Sequence, residues 1–142
     1  MGKDEGALAE FPVNSRIKLA GLWTSLMFCY TYGDIFSMFI PTRLQALLNG
    51  QSGAGATTPA ALLGFSIMMS LPAAMIFLSL VLKPTAARRL NLAAGAFFTF
   101  VMIFIGIATI GEWMMFYTYL AAVETTLSSM VVFYAWRWER TG

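Results

Sequence analysis

The sequence predicts an all-α membrane protein, a four-transmembrane-helix bundle with a short interfacial helix between helices 1 and 2. Three observations carry that expectation. The 142 residues are 58% hydrophobic and 11% charged, with a mean hydropathy of +0.71, which leaves too little polar surface for a soluble domain of this size. Four runs, 17–40, 59–82, 90–110 and 113–136, each provide the ~20 mostly apolar residues that a span requires. The basic residues, finally, lie almost entirely on one side of those runs.

Lys3, Arg16 and Lys18 precede the first run, Lys83, Arg88 and Arg89 separate the second from the third, and Arg137 and Arg140 follow the fourth; only Arg43 falls on the opposite side. This bias predicts a multi-pass protein of the cell membrane with both termini in the cytoplasm. Residues 1–15 and 139–142 then form polar cytoplasmic tails around a single transmembrane domain, 16–138. The net charge of +2, spread over three segments, fits topology determinants and predicts no nucleic-acid partner.

The first run is too long for a signal-peptide core and no small-residue cleavage pattern follows it, so it is expected to remain as the first helix. Gly2 is followed by Gly6 where a myristoylation pattern needs Ser or Thr. Next, Thr42 to Gly50 places Leu44, Leu47 and Leu48 on one helical face and ends in Asn49-Gly50, a stop signal, which predicts a short helix along the membrane surface. Residues 51–56 contain Gly53 and Gly55 but no GK[ST] sequence, so they read as a flexible linker rather than a phosphate-binding loop.

Thr58-Pro59 puts a capping hydroxyl before a proline at the first helical position and opens the second span. Pro72, inside it, removes a hydrogen bond to the Met68 carbonyl and predicts a kink, whose freed carbonyl either serves a site or is satisfied by the Ser70 hydroxyl or a neighbouring helix. Thr85 is the expected cap of the third helix. There Gly95, Thr99, Met102 and Gly106 share a face suited to close packing. Gly111 separates the last two spans, which should form an antiparallel hairpin with Glu112 and Trp113 at the outer interface.

Asp34 and Glu124 lie within spans, where an ionisable group costs a few kcal/mol or more and faces a partner or a wet cavity. By helical rise, Asp34 should lie roughly 9 Å from the outer end at Ile40 and Glu124 roughly 16 Å from Trp113. Trp23, Met27, Tyr30, Asp34 and Ser37 recur at steps of three and four, as do Tyr117, Ala121, Glu124 and Ser128, so two polar stripes are expected to line one pocket. Asp34, Glu124, Tyr30, Tyr117, Ser37 and Ser128 are therefore the candidate ligand- or proton-binding residues. No basic residue lies inside a span, so protonation or a positively charged ligand is expected to neutralise the acids.

Enzyme chemistry finds little support. There is no histidine, the single Cys29 has no partner for an internal disulfide, and no metal-ligand spacing occurs, so neither metal nor cofactor is expected. The methionines suit adaptable core and lipid contacts. Three functional classes remain. The first is a small carrier or channel, alone or as a homo-oligomer, that binds or carries a proton, a cation or a small lipophilic solute. The second is an accessory, structural or lipid-binding subunit of a membrane complex in which the acids only bond helix to helix. The third is an intramembrane enzyme, for which the usual nucleophile and cofactor arrangements are missing. The bilayer is the partner common to all three.

The series Trp23, Tyr30-Thr31-Tyr32-Gly33-Asp34, Pro41, Leu44, Leu47, Gly50, Thr58-Pro59, Leu62-Leu63, Pro72, Met75, Leu78-Ser79 and Val81-Leu82 continues through Arg88, Asn91, Ala94-Gly95, Glu124 and Tyr134-Ala135-Trp136-Arg137-Trp138. It resembles a prokaryotic family of small four-transmembrane-helix proteins, a domain of unknown function, over nearly all of Arg16 to Trp138. The resemblance implies the four-span fold and marks Asp34, Glu124, Tyr30 and Asn91 as positions of the family pattern, with Asn91 a structural polar anchor near the Arg88 turn. It implies no activity. Small multidrug transporters share four helices and a membrane carboxylate, an analogy of fold alone.

Overall fold

Asn14 starts the first helix: its side-chain oxygen accepts the Arg16 amide at 2.9 Å, and its carbonyl accepts the amides of Ile17 and Lys18. The structure, a computed structural model, describes residues 12–53 and 55–138; Lys3, Arg140, the Gly2–Gly6 pattern and most of both tails lie outside them. Helix α1 spans Ser15–Ser37, ending before Ile40 because Ile40 precedes Pro41 and is extended, at φ −77° and ψ 117°.

Pro41 opens helix α2, Pro41–Leu48, which stops at Asn49 and then at Gly50, whose φ of 71° is the left-handed conformation that favours glycine at a helix end. The exposed Leu44, Leu47 and Leu48 leave α2 an apolar surface of its own. Within the segment expected as a flexible linker, Gln51–Ser52 (β1) pairs with Gly55–Ala56 (β2) as a small antiparallel ladder. The Thr57 amide donates to the Gly50 carbonyl at 2.8 Å and closes it. Two of the glycines here, Gly50 at φ 71° and Gly55 at φ 114°, adopt the positive φ that favours glycine.

Helix α3, Pro59–Val81, starts as expected, with the Thr58 hydroxyl accepting the Ala61 amide at 3.1 Å. It continues across Pro72 as one helix, but the Ser70 hydroxyl donates to Ile67 at 2.7 Å and not to the Met68 carbonyl. Helix α4 spans Pro84–Ala108 and begins six residues before the apolar run at 90. Lys83, not Thr85, is its cap residue, and no side chain caps it. Pro84, with its fixed φ and no N–H, is suited to the first helical position, so Arg88 and Arg89 lie on the helix rather than in a loop. A 3-10 turn at Glu112–Met114 leads into helix α5, Met115–Trp136.

The helices pack with antiparallel ends. Arg16 Nη1 donates to the Leu80 carbonyl at 2.6 Å, joining the start of α1 to the end of α3. Arg88 Nε donates to Ala135 at 3.0 Å and its Nη2 to Trp136 at 3.2 Å, joining the start of α4 to the end of α5. Lys18 sits 5.3 Å from the centre of the Tyr134 ring at the same end. The α4–α5 pair is the most extensive interface, α1 lies against both α3 and α5, and α3 touches α4 little. A Cβ on Gly95 would come within 3.0 Å of Val132 and 3.1 Å of Val131, which explains a glycine where α4 meets α5.

Leu19, Trp23, Leu26, Met75, Phe98 and Val131 form the core, with the Trp23 and Phe98 rings edge to face at 5.8 Å. From Pro59 to Ile67, α3 is exposed apart from half-buried Ala61. The fold is thus all-helical apart from the short ladder, and two helices, α3 and α4, are long and apolar enough to cross a membrane. Helices α1 and α5 have similar lengths, 23 and 22 residues, but carry the acids and several hydroxyls, which lower their hydropathy.

Candidate functional site

The outer-facing ends of α1 and α5 in the sequence reading are also where the structure opens a cavity. Four helices line it: α1 contributes Tyr30, Gly33 and Asp34, α5 contributes Tyr117, Leu120 and Glu124, α3 contributes Met68 and Met69, and α4 contributes Met102 and Ile105. Its volume is about 70 Å³, room for a few water-sized groups. Asp34, Glu124, Tyr30 and Tyr117 are brought together, as their stripes predict, whereas Ser37 and Ser128 are not in its wall.

The acids are not equivalent. Glu124 is 6% exposed and forms the deep side, whereas Asp34 is exposed at the rim. Asp34 is also shallower than expected: α1 ends at Ser37, so only about 5 Å of helix lies beyond it, against roughly 14 Å between Met115 and Glu124. The stripe on α1 is rotated from the predicted one. Leu26, Tyr30, Gly33 and Ser37 are buried, while Met27 is half-buried and Asp34 borders the buried face.

Among the described residues neither carboxyl makes a hydrogen bond or an ion pair. The Tyr30 hydroxyl, on a residue 8% exposed, is buried with no hydrogen-bond partner. A buried donor without a partner costs about 1–3 kcal/mol, so an unpaired phenol on a residue that lines the same cavity as two carboxylates is chemically unusual. The phenol rings and the methionine thioethers add polarisable surface that tolerates a cation. No group of three His, Cys, Asp or Glu side chains converges among the described residues, so a metal would have only the two carboxylates as strong ligands.

Ser37 donates to the Asp34 backbone carbonyl at 2.7 Å, a local helical bond. Ser128 accepts from the Thr99 hydroxyl at 2.9 Å and donates to the Thr125 carbonyl at 3.2 Å, holding α4 to α5. Asn91, fully buried, binds Trp23, Ser79 and the Ala87 carbonyl, so it joins three helices rather than serving only the Arg88 turn. The sequence does not mark Met68, Met69 and Met102 as wall residues, and it marks Arg43 only as a topology determinant. The signal for the methionines was present in their one-turn offset from Pro72 and Gly106, but a methionine alone does not distinguish a wall from a core.

An all-helical bundle, with two helices able to cross a membrane and a carboxylate-lined cavity between its helices, is the class that fold and site define. Residues 7–142 match the model of DUF6326, a family of unknown function, and the chain belongs to that family. No curated protein and no solved structure matches it.

Proposed function

We propose that the chain is a multi-pass protein of the cell membrane, crossing it four times with both termini cytoplasmic, and that it binds or carries a proton or small cation in the pocket of Asp34 and Glu124. The observation that carries this reading is the meeting of two unpaired carboxyl groups and the unpartnered Tyr30 hydroxyl around one cavity. Helices α1 and α5 match α3 in length and run antiparallel to their neighbours, which supports four spans. The ends joined by Arg16 and Arg88 hold most of the described basic residues, which supports a cytoplasmic location for that end.

The cavity's size favours a proton, an ammonium ion or a small metal cation over a bulky lipophilic solute. Proteoliposomes loaded with a pH-sensitive dye test it: wild type should give a cation- or proton-dependent signal that Asp34→Asn and Glu124→Gln abolish. Flux that both variants retain would sink the proposal. A second function, as an accessory or self-associating subunit, is supported by the uncovered apolar half of α3 between Pro59 and Ile67. It predicts a partner or a second copy retained on mild extraction, and a solitary protein in every mild detergent would refute it.

A further inference from the structure

We infer that Arg43 forms a second site, which binds the phosphate-type anion of a lipid headgroup or of a free solute. A cavity of about 310 Å³ lies at the end of the bundle remote from Arg16 and Arg88, between α2, the ladder and the 3-10 turn. Arg43, Thr42, Ser52 and Trp113 are among its lining residues. The Arg43 Nε is buried and has no hydrogen-bond partner, and the guanidinium lies against Gly53, where a Cβ would collide with it.

The other end of the bundle treats its cations differently. Arg16 and Arg88 spend their N–H groups on backbone carbonyls, while Lys18 and Arg137 lie over the Tyr134 and Phe133 rings. Arg43 instead keeps an unused buried donor, and its side chain is among those that line the cavity. A guanidinium is a planar fork that matches the oxygens of phosphate, and its bonds to them are charge-assisted. Thr42 adds a hydroxyl and Trp113 an indole N–H; Asp34 lies near enough to feel the Arg43 charge, but neither it nor Glu112 lines this cavity. The exposed Leu44, Leu47 and Leu48 on α2 and exposed Trp113 place the same cavity beside apolar surface, where acyl chains would lie.

The full chain in an uncharged detergent tests the inference by thermal unfolding, titrated with short-chain phosphatidic acid, inorganic phosphate or the matching diacylglycerol. At a hundredfold excess over Kd, phosphatidic acid should raise the wild-type Tm by roughly 5 °C or more. The diacylglycerol should not. An equal shift with inorganic phosphate also supports the anion site and assigns its source to solution, whereas a shift with phosphatidic acid alone assigns it to the bilayer. Arg43→Gln should weaken binding at least tenfold. If that variant does not fold, Arg43→Lys decides, because it keeps the charge but loses the fork and should also bind at least tenfold more weakly. No shift with either anion, an equal shift with diacylglycerol, or wild-type affinity in the folded variants would overturn the inference.

Discussion

The indole nitrogen of Trp23 donates to the side-chain oxygen of Asn91 across 2.8 Å, deep in the bundle and 68 residues away in sequence. The Asn91 amide donates in turn to the Ser79 hydroxyl at 3.1 Å and to the Ala87 carbonyl at 2.8 Å. One buried amide therefore fixes α1, α3 and α4 relative to one another. A polar group with every bond made specifies a packing register that apolar contacts alone leave loose.

Asn91→Ala strands the Trp23 N–H, worth about 1–3 kcal/mol when buried and unsatisfied, while the Ser79 hydroxyl keeps its bond to the Met75 carbonyl. The detergent Tm is expected to fall sharply. Trp23→Phe, which removes the donor along with its demand, should cost less than Asn91→Ala; equal losses would mean that packing of the indole outweighs its bond.

Tyr30→Phe should behave in the opposite way. Its hydroxyl has no partner to lose, so thermal stability should stay within about 1 kcal/mol of wild type or rise. Cation binding measured by calorimetry should weaken severalfold. A drop in Tm as large as that of Asn91→Ala would show that the hydroxyl bonds the bundle together instead.

Depth separates the acids. Glu124, 6% exposed, should dominate affinity, with Glu124→Gln weakening cation binding more than tenfold and Asp34→Asn, at the exposed rim, less. Isotherms for the two single variants check this ranking, and a larger loss at Asp34 would reverse the assignment of the deep side.

Two glycines within helices should respond with different signs. Gly95→Leu forces α4 from α5 against Val131 and Val132 and is expected to destabilise by about 1–3 kcal/mol. Gly21→Ala in α1 meets nothing within 4 Å and should be neutral or stabilising by up to about 1 kcal/mol through helix propensity. Chemical denaturation in mixed micelles distinguishes them.

What the chain determined by itself is local. Thr58-Pro59 starts α3, Asn49-Gly50 stops α2, and the long apolar runs supply the helices, because caps, prolines and hydropathy act within a turn or along one segment. The placing of Asp34 and Glu124 on polar faces of their own helices was legible from spacing for the same reason, whereas their sharing of one pocket depends on how the helices meet. The start of α4 was not, since counting apolar residues overlooks a polar first turn that Pro84 can open.

Only the tertiary structure decided which way each stripe faces. A shift of one position turns a helix by about 100°, enough to bury Gly33 and leave Asp34 at the rim, and the packing of Gly33 toward Tyr117 and Leu120 sets that rotation. Packing likewise removed Ser37 and Ser128 from the pocket and joined Trp23 to Asn91. It also seated Arg43 beneath Gly53. These are relations between residues far apart in the chain, and their energies exist only when the helices meet.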